Sequence, residues 1–231
     1  RQHQELGAGT NRVPEPGAGS GTAANIKGSV TRSRDNYLEN RRSADSMVAT
    51  IERHRDKLFD LVNETDWALV IKLHATLEAT VTQLVVAYTA DELKPVVERL
   101  PLSDAQVGKA KMGVDLGVIE PSMYTFIRRF SELRNDLVHD TANMDLDLKA
   151  YVDSLDQNQR KRWKKALVWT EGDEGKRAEL ESAMLTNPRT TLYIMAFTLI
   201  LILATTAEEP KAKRQIQELA EKTTRQLLCP D

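Results

Sequence analysis

From about residue 33 the apolar positions recur with the period of an α-helix. Leu38, Met47, Val48, Ile51, Leu58, Phe59 and Val62 include steps of three, four and seven, which stack side chains on one helical face. The next stretch, "NETDWALVIKLHATLEATVTQLVVAY", offers Asn63 or Thr65 as a cap and is apolar enough through Tyr88 for a central core helix. After a proline stop, "PLSDAQVGKAKMGVDLG" pairs Ser103 with Gln106 as a capping box and places Gly117 where a C-terminal glycine belongs. "EPSMYTFIRRFSELRNDLVHD" begins with Pro121 in a first-turn position. Its stripe comprises Met123, Ile127, Phe130, Leu133, Leu137 and Val138. "TANMDLD" reads as a turn that starts another helix, "LKAYVDSLDQNQRKRWKKALVWT", and "EGDEGK" reads as a loop. Two long elements, 188–207 and 208–228, close the chain. No strand-like alternation persists, and no repeat with a period of about 20 to 50 residues is present. The pattern predicts an all-α bundle of about six helices.

Two segments depart from this pattern. Residues 1–32 contain "GAGTNRVPEPGAGSGTAANIKG", rich in Gly, Ala, Pro and Ser and poor in large apolar side chains. Such a segment cannot bury enough surface to offset its ordering entropy, so it reads as a flexible arm ahead of one domain at 33–231. "TLYIMAFTLILILATTA" is apolar all round, but its strictly apolar part falls short of the roughly 20 residues a spanning helix needs. With threonines at both ends and Glu208–Glu209 behind it, it reads as a buried helix, and no membrane association is expected.

Composition fits this picture. Apolar residues make up 41% of the 231 and charged residues 29%, enough to fill a core. Aromatics are only 5%, which favours packed helices over a sheet sandwich. A net charge of -2 excludes a global field that draws in nucleic acid, so any such binding must come from a local patch. Cys229 is the single cysteine; no disulfide can form within the chain, and a reducing, cytoplasmic setting is expected. No charged segment followed by an apolar run opens the sequence, so no secretory signal is expected.

The chemistry concentrates in "SELRNDLVHD", residues 131–140. On a helix Arg134 and His139 stand about 140° apart, whereas Asn135 and His139 share a face. A histidine exchanges protons near neutral pH, here with a ribose 2′-hydroxyl or a leaving 5′-oxygen. An arginine fork holds a phosphate and stabilises its developing charge, and an asparagine orients either partner. No metal or cofactor is required. The plainer account is a helix C-terminus that favours a His, with Arg134 paired to Glu132 or Asp136 at the surface. Asp136 and Asp140 flank the trio as supporting candidates. Glu78, in an otherwise apolar helix, is a further one, or simply a half-exposed helix carboxylate.

"QRKRWKK" places Arg160, Lys161, Arg162, Lys164 and Lys165 around Trp163. This is either a phosphate-binding patch with a stacking ring, or a solvated face with Trp163 turned into the core beside Leu167. His139, Asp140, Asp145 and Asp147 match no metal loop, and "DLD" reads better as capping. His54 and His74 read as structural, and Cys229 lacks the basic surroundings of a nucleophile. Neither a glycine-rich phosphate loop nor a G-x-S-x-G elbow occurs.

"LRNDLVHD", preceded by "LGVIEPSMYTFIRRFSEL" and by the core segment "WALVIKLHATLEATVTQLV", resembles the HEPN superfamily, and within it the mannitol operon repressor (MltR-like) family. The similarity runs from about Trp67 to about Thr205 and takes in "RTTLYIMAFTLILIL". The R-x4-H hallmark falls on Arg134 and His139, with Asn135 as the polar residue after the arginine. The resemblance implies a helical bundle. It also implies a homodimer that brings two Arg–His pairs into one cleft for metal-independent RNA cleavage. Other members of that superfamily are antitoxin-neutralised toxins, regulators or binding modules, some in phage defence. The family name implies transcriptional repression, yet nothing in the chain resembles a helix-turn-helix.

Overall fold

The structure, a computed structural model, describes Val48, Ala49, Glu52, Arg55 and residues 58–139, 144–170 and 173–228, the side chains of Gln226 and Leu227 excepted. All belong to the unit Asp45–Asp231. The arm at 1–32, Leu38, Met47, Ile51, His54, Asp140 and Cys229 lie outside the described residues.

The described residues form helices and no strand, as expected for an all-α protein. There are eight α-helices among them rather than about six: α1 Asp66–Ala87, α2 Lys94–Arg99, α3 Lys109–Asp115, α4 Pro121–Val138, α5 Leu148–Ser154, α6 Gln157–Leu167, α7 Glu174–Thr186 and α8 Pro188–Leu228. Asp60–Asn63 and Asp91–Leu93 are 3₁₀ turns.

Local chemistry explains these boundaries. The expected helix after Asp147 is two helices, because Asp156 starts a second one. Its carboxylate accepts the Gln159 N–H at 2.8 Å, and the Gln159 side chain accepts the Asp156 N–H at 2.9 Å. The supposed loop after Thr170 leads into α7, whose first N–H groups donate to the Asp173 carboxylate. The last two expected elements are one helix of 41 residues, continuous through Pro210. In the turn before that proline the hydroxyls of Thr205 and Thr206 donate to Leu201 and Ile202 carbonyls. The expected capping box at Ser103 is absent. Instead Asp104 accepts the N–H groups of Gln106 and Val107 at 2.8 and 2.9 Å, and α3 starts only at Lys109. Gly108 is required there, since a Cβ would lie 2.4 Å from the Asp104 carbonyl oxygen. Gly117, with φ 72°, terminates the segment after α3, and Thr65 and Asp147 cap α1 and α5.

The core is built on α1 and α8. Leu69, Val70, Leu73, Leu77, Val81 and Leu84 are buried on α1, and Leu192, Met195, Ala196, Leu199, Ile200 and Leu203 on α8. Asp66 ties one end of this pair together: one carboxylate oxygen accepts the Leu148 N–H at 2.7 Å and the other pairs with Arg189. Arg189 also donates to the carbonyls of Val62 and Glu64. The α4 stripe is buried at Met123, Ile127, Phe130, Leu133 and Leu137, joined by Phe126, whereas Val138 turns outward. Both α1 and α8 are long and apolar enough to cross a membrane by length and composition. Half of each such window is buried against other helices.

Candidate functional site

Helix α4 sets the geometry of the Arg–Asn–His trio. Pro121 opens it, the apolar stripe anchors it, and His139 closes it at the C-cap with φ -84° and ψ -12°, close to helical values. Arg134 is half-buried; Asn135, Asp136 and His139 are exposed. The Arg134 guanidinium donates through Nη1 to Asn135 Oδ1 at 3.1 Å, which restrains both side chains at the end of the helix. Glu132 is not its partner. Glu132 pairs with Arg129 at 2.9 Å, and Asp136 lies on the flank near Tyr151. Burial raises the Tyr151 pKa, opposed by Arg129 and aided by Asp136. The His139 side chain is exposed, and its imidazole has no hydrogen-bond partner among the described residues.

Beneath the trio, α1 contributes a second group that spacing alone did not reveal. His74 is buried against Phe130, ring centroids 5.9 Å apart, with Nε2 3.0 Å from Ser131 Oγ. Ser131 spends its own proton on the Ile127 carbonyl at 2.8 Å, so its oxygen accepts and His74 Nε2 carries the hydrogen. Burial drives the His74 pKa down to about 4; Glu78 opposes this and the Arg134 charge adds to it. Glu78 is one turn further along α1, where its carboxylate holds the Lys109 ammonium at 3.3 Å. The Lys109 side chain is only 5% exposed against 41% for Glu78, so the pair chiefly neutralises a buried cation. These contacts join residues 31 and 57 positions apart on different helices, beyond the reach of any local pattern.

The basic segment divides. Trp163 is fully buried in edge contact with Tyr151 and beneath Arg129, so it offers no stacking surface and the solvated-face reading describes this ring. Arg160 donates to the Leu155 and Asp153 carbonyls, and Lys164 pairs with Glu181 at 2.9 Å. The hydrogen bond from Lys164 holds the Glu181 carboxyl below its usual range. Lys161, Arg162 and Lys165 stay exposed, without an ion pair among the described residues. Asp147 is engaged in capping α5, and no group of three or more His, Cys, Asp or Glu able to hold a metal occurs among the described residues.

No family model, curated protein or solved structure matches the chain.

Proposed function

We propose that the C-terminal end of α4 is a metal-independent RNA-cleaving site of the HEPN type, completed by a second copy of the chain. The supporting observation is the Arg134–Asn135 hydrogen bond at 3.1 Å next to an unengaged, exposed imidazole at the helix end. In this reading the guanidinium holds the scissile phosphate. An imidazole takes the proton of the ribose 2′-hydroxyl as the 2′-oxygen–phosphorus bond forms. The bond to the 5′-oxygen breaks, and that oxygen takes a proton from a second imidazole, His139 of the other copy. Asn135 orients Arg134. Asp140 and the exposed lysines of α6 stand in supporting and RNA-binding roles.

Labelled RNA incubated with the protein in EDTA tests this: the products should end in 2′,3′-cyclic phosphate. His139→Ala and Arg134→Ala should each lower the rate by at least about 100-fold while keeping the wild-type melting temperature. Intact RNA after long incubation with the wild-type chain overturns the cleavage.

A second reading, a non-catalytic regulator or binding module of the mannitol operon repressor kind, is favoured by a different observation. Phe59, Ile194 and Ile202 are exposed on and beside α8, with the Phe59 and Phe197 rings tilted against each other at 5.6 Å. An antitoxin or regulatory protein would use that face. Persistent RNA together with a stable heterologous complex selects this reading.

A further inference from the structure

The exposed face of α4 continues from Asn135 and His139 toward the start of the helix. At about 100° per residue, Tyr124, Arg128, Asn135 and His139 fall within a sector of roughly 60°, and Arg128 lies about 10 Å along the axis from Asn135. Arg128 is exposed, and its guanidinium sits over the Tyr124 ring, 5.9 Å from the centroid. The residue placed to neutralise it by i,i+4 spacing is Glu132, but Glu132 pairs with Arg129 on the opposite flank at 2.9 Å. Asp104 lies within electrostatic range of Arg128 but forms no ion pair with it. Arg128 therefore has no carboxylate pairing among the described residues, and an aromatic ring limits its orientations.

We propose that Arg128, seated on Tyr124, is a second phosphate-binding position for single-stranded RNA lying along this face of α4. The inference rests on the RNA reading of the helix end and adds to it a direction for the strand, from His139 past Asn135 to Arg128. The guanidinium fork binds a phosphodiester one or a few nucleotides from the one held at Arg134, and the Tyr124 ring keeps the fork facing outward.

The test is binding of a fluorescent single-stranded RNA across a salt series. A lysine-to-alanine change elsewhere, Lys213→Ala on α8, removes an equal charge from a different surface. One lost phosphate contact reduces the slope of log affinity against log salt by about 0.7. Arg128→Ala should show that reduction and bind several-fold more weakly. Arg128→Lys should keep the slope, Tyr124→Leu should weaken binding, and Lys213→Ala should match wild type. If Arg128→Ala binds like wild type, or loses no more than Lys213→Ala, the second position is wrong while the helix-end site stands. A wild-type chain that binds RNA with the predicted Arg128 effect but never cleaves it retains the position and overturns the nuclease reading. A wild-type chain that does not bind RNA overturns both.

Discussion

At the scale of single residues, His74 reports the cost of burying an ionisable ring. Its folded pKa, about 4, lies below the unfolded value of 6.5. Proton binding is thus weaker in the folded state, and the stabilisation is complete above pH 6.5 and lost as pH falls toward 4. Two and a half units correspond to about 3 kcal/mol over that window. Urea titrations at pH 7 and pH 4 should show His74→Gln, which keeps a donor for Ser131, losing markedly less stability on acidification than wild type. Equal losses would show that the ring does not control the acid limb. The Glu78–Lys109 pair makes an asymmetric prediction. Lys109→Met leaves a half-exposed carboxylate that water can solvate, whereas Glu78→Ala strands a buried ammonium. Denaturation should find Glu78→Ala more destabilising, by roughly 2 kcal/mol or more. The reverse order would mean that the ammonium reaches solvent on its own.

At the scale of elements, the chain advertises its helices better than their ends. Asn135 and His139 could be placed on one face from spacing alone, as could the Leu and Val positions of α1, because helical periodicity is a local property. Helix number departs from the periodic pattern where a single side chain decides it. Asp156 cuts one expected helix in two, and Asp173 starts one inside a charged stretch that looks like loop. In α8 the reverse holds: the two elements expected at 188–207 and 208–228 are one helix, which passes through Pro210. The contact of His74 with Ser131 had no local signature, being fixed only by how α1 meets α4. Beyond Pro210, Arg214 donates to the Ala87 carbonyl at 3.4 Å, and Lys211–Arg225 is mostly exposed. A chain ending at Glu209 should melt within about 3 °C of the full chain while losing helical circular dichroism in proportion. A much larger drop would show that the distal half supports the core.

At the scale of the molecule, stability and site share one scaffold. Helix α1 buries its leucines against α8, packs His74 against Phe130 and Ser131 of α4, and holds Lys109 of α3 through Glu78, so the seam that holds the fold also supports α4. The exposed remainder of α8 accounts for its dual character. One side is core, and the other, with Ile194 and Ile202 at 47% and 36% exposure, is apolar surface.

The Asp66–Arg189 clasp has a kinetic consequence. Its two partners are 123 positions apart, and α1 ends 101 residues before α8 begins. At a synthesis rate of about 5–20 residues per second, the leucine face of α1 leaves the ribosome roughly 5–20 s before the helix that will cover it exists. Until then that face is open to chaperones or to another nascent chain. The slowest stage in maturation should be this long-range closure rather than formation of any single helix.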